Sequence, residues 1–285
     1  MQTLIDQSNA MRRLVESAAD KVVAIRNDDG TFASGLSWGD GYVVTAEEAI
    51  ADAARIVTPS GRDHDAVLVG RDPSTDIAVF RIDETLAAFA PADPVEPGDI
   101  VLAIGRGATS ALVASGIVSE TGPEWISSLG GKVDRRIHLE LGLRRRGHGG
   151  AIVDAAGHLV GLAAFGPRRR PIVIPAATMT RIVARIIGSG SVARGYLGLQ
   201  LHPLRDGGRR AGAIVVSVDD KGPAAAAGLL VGDSILSWNG TDVSGARQVF
   251  RMLGPDSVGR TIALGILRGG QPSTIDVVVG SRPHT

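Results

Sequence analysis

Residues 212–240 read GAIVVSVDDKGPAAAAGLLVGDSILSWNG. The stretch divides into a β-branched run (GAIVVSVD), a short Ala-rich helix (PAAAAGL) and a second strand (DSILSWNG). Turns at Gly232-Asp233 and Asn239-Gly240 bracket that second strand. Working outward, YLGLQL (196–201) is a strand on the N-terminal side. On the C-terminal side, GARQVFRML (245–253) has helical spacing, with Ala246, Val249, Phe250 and Leu253 on one face. TIALGILRGGQPSTIDVVVG (261–280) predicts a closing hairpin that turns at Gly269-Gly270. Residues 195–282 are therefore expected to form a small mixed α/β domain.

The stretch GSGSVARG (188–195) predicts a linker over residues 188–194. Before it, AATMTRIVARII follows Pro175 with helical spacing. Over residues 21–187 short β-branched runs recur between Gly, Pro, Asp and Ser, among them VVAI (22–25), YVVT (42–45), IAVFRI (77–82), DIVLAI (99–104), HLVGLA (158–163) and PIVIP (171–175). This rhythm predicts a sandwich or a pair of barrels rather than βαβ units. Residues 1–20 predict a docked N-terminal helix with Leu4, Met11, Leu14, Val15 and Ala18 on one face and Ser8 as its N-cap.

Composition narrows the chemistry. The 285 residues are 44% apolar and 21% charged, the balance of a globular chain with more than one core. Lys+Arg and Asp+Glu are 30 each, so global charge points to neither nucleic acid nor an anionic membrane. There is no cysteine, which excludes thiol nucleophiles, disulfides and Cys-based zinc sites. No cofactor is indicated. The N-terminal residues lack a basic stretch followed by an apolar one, and no apolar run is long enough to span a membrane. As written, the chain is expected in the cytoplasm.

The order of elements in 195–282 closely resembles a PDZ domain of the bacterial protease-associated kind. Tyr196-Leu197-Gly198-Leu199 corresponds to the loop with which such domains hold a C-terminal carboxylate. Gly198 lets successive N–H groups converge on one anion. The strand Leu199-Gln200-Leu201 would offer an edge for peptide pairing, and Ala246, Phe250 and Leu253 would form the opposite wall. The implied partner is a protein or peptide C-terminus ending in a small apolar residue.

Residues 21–187 resemble the trypsin-like domain of the HtrA proteases. The resemblance rests on DGYVVTAEEAI (40–50), DPSTDIAVFRI (72–82) and RRGHGGAIVDAAGHLVGLAAFG (145–166). It implies a mainly β fold, a chymotrypsin-like double β-barrel followed by the α/β PDZ domain. Serine-protease chemistry joins a hydroxyl, an imidazole and a carboxylate. By these flanks the imidazole position holds Glu48, the carboxylate position keeps Asp76, and the nucleophile position holds His148. The glycine that helps bind the oxyanion is replaced by Arg146, and no serine occurs between Ser128 and Ser189.

The expectation is therefore a pseudoprotease, not an enzyme, which binds peptides and acts as scaffold, adaptor or assembly subunit. The alternatives are an active or latent HtrA-like serine endopeptidase and a metal site at Glu48, Asp76 and His148. A His148–Glu48 ion pair is the expected state of the cleft. The arginine triplets Arg144-Arg145-Arg146 and Arg168-Arg169-Arg170 read as solvated basic loops, or as a site that recruits an acidic peptide or phosphate beside the cleft. The family's N-terminal trimerising aromatics are missing, since the first aromatic is Phe32. A homo-oligomer or a complex with an active relative remains open. Resemblance to the family also implies work outside the cytoplasm.

Overall fold

The computed structural model describes residues 2–51, 54–166, 169–190, 192–206 and 209–281. The chain forms two compact units: Met1–Trp125 with Val133–Val192, and Ile126–Lys132 with Ala193–Thr285. Residues 126–132, expected in the first domain, thus belong to the second unit.

The first unit begins with α1 (Gln2–Ala19) and the strands β1 (Val22–Asn27), β2 (Phe32–Gly39), β3 (Tyr42–Thr45), β4 (Ala54–Val57), β5 (Asp63–Asp65), β6 (Val67–Asp72) and β7 (Ile77–Arg81). The strands form an antiparallel sheet in the order β5-β4-β1-β2-β3-β7-β6. There follow β8 (Ile100–Arg106), β9 (Ala111–Gly122), β12 (Arg136–Glu140), β13 (Ala151–Asp154), β14 (Leu159–Phe165), β15 (Pro171–Pro175) and α2 (Ala176–Ser189), with β10 (Trp125–Ile126) and β11 (Lys132–Val133) at the ends of the 126–132 segment. Six of these close a barrel, β12-β15-β14-β13-β8-β9, while β10 pairs with β11.

One apolar cluster joins the two sheets: Leu36, Val44 and Ile77 meet Leu102, Ile104 and Leu162, and α2 covers them with Met179, Ile182 and Ile186. The continuous run IAVF of β7 is buried on both faces, which explains why it shows no alternation. Full burial of Ile77, Val79 and Phe80 contributes about 1.5–3 kcal/mol each.

Helix α1 departs from expectation. It starts at Gln2, so Ser8 lies inside it and caps nothing. Only its C-terminal part docks: Ala18 is buried and Leu14 and Val15 are packed against the core, whereas Leu4 and Met11 are exposed. The docked end is secured by Arg106, whose Nη2 donates to the Ala19 carbonyl at 3.0 Å and whose Nε donates to Val22 at 2.8 Å.

The second unit contains β16 (Gly195–Tyr196), β17 (Leu199–Asp206), β18 (Arg209–Val218), α3 (Pro223–Ala226), β19 (Ser234–Trp238), β20 (Thr241–Asp242), α4 (Ala246–Met252), β21 (Thr261–Arg268), β22 (Gln271–Val278) and β23 (Gly280–Ser281). Its sheet runs β17-β18-β19-β21-β22, with β20 added to β19. The β21–β22 hairpin pairs Arg268 with Gln271 across Gly269-Gly270. Leu197, Val215, Ile235, Val249, Leu264 and Val277 are among the residues that fill its core. Among the described residues no helix is long and apolar enough to cross a membrane.

Candidate functional site

Strand β3 ends at Thr45, and a 3-10 turn over Glu47–Ala49 follows. Facing it is the turn after β6. Buried Asp72 accepts hydrogen bonds from the Ser74 amide (3.0 Å), the Ser74 hydroxyl (2.6 Å) and the Thr75 hydroxyl (2.7 Å). This side-chain-closed turn presents Asp76 at φ 56, a left-handed conformation that Asp tolerates better than most residues. One Asp76 oxygen accepts the Glu48 N–H at 2.8 Å, and the other lies 3.3 Å from His148 Nε2.

His148 follows a second 3-10 turn, Arg145–Gly147, and is buried. Its ring meets Phe165 edge-on, with centroids 5.1 Å apart. The arrangement is a buried imidazole held by a carboxylate, which can bind or relay a proton. Gly149 lets the loop pass against the first sheet. With φ +81, a Cβ there would stand 2.3 Å from the Ser34 carbonyl and from Thr45 Oγ1.

Two expectations about this cleft are corrected. His148 pairs with Asp76 and not with Glu48, whose side chain is exposed and which reaches Asp76 only through its backbone. The metal alternative finds no ligand set: among the described residues no group of three His, Asp or Glu could hold an ion. Arg146 contributes its carbonyl, which accepts the Ser34 hydroxyl at 2.5 Å, and the His148 N–H donates to the Arg145 carbonyl at 3.1 Å. Nearby, burial raises the Glu47 carboxyl above its ordinary value, while Arg71 at 3.3 Å pulls it down.

The arginine triplets do not share a site among the described residues. Arg144, Arg145 and Arg146 line a cleft of about 690 Å³ against Ala111–Ala114. Arg170 lines a different one of about 360 Å³ with Trp125 and His138. Arg169 sits in a left-handed conformation, and Arg168 lies outside the described residues.

In the second unit a groove of about 340 Å³ is lined by Tyr196, Leu197, Gly198, Leu199 and Leu201 on one side and by Val249, Phe250 and Leu253 on the other. Gln200 and Ala246, both expected here, do not line it. Strand alternation turns Gln200 to the other face, and Ala246 is buried at the start of α4. The spacing of α4 pointed to Val249 as well, and Arg194 at the groove was missed. Gly198 has φ +76, and a Cβ there would meet Gly222 Cα at 3.0 Å. The Tyr196 hydroxyl donates to Asp219 at 2.7 Å and holds that carboxyl below its ordinary value. Strand β17 is the last in its sheet, so among the described residues the edge facing the groove has no strand partner. Phe250 remains 43% exposed beside it.

Comparison with known proteins places this geometry. Residues 33–162 match the family model described as trypsin-like peptidase domain, and residues 195–279 match that described as PDZ domain. A protein of Brucella suis named "Probable periplasmic serine endoprotease DegP-like" is 33% identical over 86% of this chain and 51% of its own length. The chain thus spans about half of that relative. Serine endoprotease DegS of Haemophilus influenzae is 31% identical, over 86% of this chain and 75% of its own. Among solved structures, the serine endoprotease from Yersinia pestis superposes with TM-score 0.72 at 29% identity, covering 95% and 98% of the two chains. HtrA-type protease AlgW, solved with a decapeptide, superposes with TM-score 0.70 at 30% identity and the same coverage.

These relatives correct the expectation that the chain is not an enzyme. At about 30% identity over most of the chain they are named serine endoproteases and, for AlgW, an HtrA-type protease.

Proposed function

The chain belongs to the HtrA-type serine endoproteases, which join a trypsin-like domain to a PDZ domain, and from that membership we propose that its PDZ groove captures protein C-termini. The observation that carries this reading is the apolar groove between Leu199–Leu201 and α4, closed at one end by the Gly198 loop. An extended peptide would add to the free edge of β17, with its carboxylate toward the loop and a small apolar side chain toward Leu197 and Leu253. The decapeptide in the AlgW structure supports peptide binding as the function of such a chain. The test is fluorescence anisotropy with a labelled peptide ending in a free Val-COOH. Binding is expected to be saturable, and weakened at least tenfold by C-terminal amidation or by Gly198→Trp. Unchanged binding in both cases overturns the assignment.

A second reading, peptide-bond hydrolysis, is favoured by the names of the relatives and by the Asp76–His148 pair. The chain would supply an imidazole base oriented by a carboxylate. With no serine between Ser128 and Ser189, the attacking oxygen would be that of a water activated by His148. Casein cleavage that disappears in His148→Ala, without labelling by a fluorophosphonate, is the expected result. Labelling would mean a hydroxyl nucleophile instead, and no cleavage at all would dismiss the reading. The periplasmic names of the relatives support a site of action outside the cytoplasm, which cell fractionation would check.

A further inference from the structure

We infer that the cleft between β9 and the Arg144–Arg146 turn is a docking groove for an extended acidic peptide, separate from the PDZ groove. Three observations converge there.

The first is an open strand edge. β9 pairs with β8 from Ala111 to Ile117, but β12 reaches β9 only over residues 117–122. From Ala111 to Ser115 one edge therefore has no strand partner among the described residues. Such an edge presents amide and carbonyl groups at the spacing another strand requires.

The second is room for a backbone. The cleft measures about 690 Å³, and its β-strand side carries the small residues Ala103, Gly105, Ala111 and Ala114 alongside Leu112 and Val113. Small side chains let a second chain approach to within strand-pairing distance.

The third is charge. Arg144, Arg145 and Arg146 form the opposite wall, all exposed. None makes an ion pair among the described residues, although Asp29 feels Arg145 weakly. Three guanidinium groups so placed match the carboxylates of an extended acidic segment, where Glu on alternate positions would face the arginines. The lining of the cleft ends at Gly147, the residue before His148.

The inference stands independently of C-terminal capture, and its test keeps the two apart. The probe is a fluorescein-labelled dodecapeptide of alternating Glu and Val, acetylated at one end and amidated at the other, added to the intact chain. Saturable, salt-sensitive binding is expected. The triple variant R144A/R145A/R146A should lose at least tenfold in affinity, as should Val113→Pro or Ala114→Pro, since one of two consecutive strand residues donates its N–H outward. Gly198→Trp, which blocks the C-terminal groove, should leave the affinity for this amidated probe unchanged. Three results would overturn the inference: equal binding of the Lys-Val counterpart, retention of affinity in the triple arginine variant, or loss of binding in Gly198→Trp. Equal binding of a peptide of alternating D- and L-residues, which cannot form a regular strand, would reduce the site to plain charge attraction and would overturn it too.

Discussion

The hydroxyl of Ser34 donates to the carbonyl of Arg146 at 2.5 Å and accepts the Arg106 amide at 2.9 Å. One fully buried side chain on β2 thereby joins the first sheet to β8 and to the turn before His148. Ser34→Ala leaves a buried carbonyl and amide without this partner, and is expected to destabilise the chain by about 1–3 kcal/mol. Urea denaturation at neutral pH would show a lowered midpoint with an unchanged slope.

Gly149 makes a harsher demand. Its positive φ and the 2.3 Å approach to the Ser34 carbonyl leave no space for a methyl group. Gly149→Ala combines αL strain with a backbone clash and is expected to destabilise by more than about 2 kcal/mol. The near-ultraviolet circular dichroism signal and the urea midpoint should both fall. A full-strength midpoint would mean that the loop moves more easily than its contacts imply.

Arg106 ties the end of α1 through the carbonyls of Ala19 and Val22. Burial pushes its guanidinium pKa down, while the charge of the Asp20 carboxylate pulls it back up. Arg106→Ala should release α1 before it unfolds the sheets. Deuterium uptake over residues 2–19 should rise several-fold, while β7 stays protected.

Asp233 is 1% exposed and takes two hydrogen bonds of 2.7 Å from Arg268, with a third at 2.8 Å from the Leu230 amide. These bonds, Arg268 first, hold its carboxyl below the ordinary carboxylate value. A depressed acid contributes stability above its unfolded value and loses it as pH falls through the folded one. Asp233→Asn should therefore lower PDZ stability at pH 7 by roughly 1.5–3 kcal/mol and flatten the acid limb of the stability curve. A variant curve parallel to the parent's down to pH 2 would count against the pair as the source of that limb.

Alternation and turn residues carried most of the architecture. IAVF, PIVIP and GAIVVSV stand as strands because few other packings bury such β-branched runs. The Gly269-Gly270 hairpin and the helix after Pro175 were legible for similar local reasons. Contacts between distant residues were not. Nothing in the spacing of Glu48, Asp76 and His148 says which carboxylate meets the ring; that depends on the Asp72-closed turn and the left-handed backbone of Asp76. Ser34 and Arg146 are 112 positions apart, and FASG carries no sign of the bond. Ser8 misled because a good cap residue occurs inside α1, whose true start offers none. The missing serine was legible too, yet the enzyme class came from the relatives.

The closed ring β12-β15-β14-β13-β8-β9 also governs how the first unit comes apart. A ring strand must break two ladders to detach, whereas the neighbouring sheet ends on β5 and β6, each held from one side. Thermal breathing, proteolytic nicking and early hydrogen exchange should thus begin around residues 63–72, and the ring should be the last part of the unit to let solvent in.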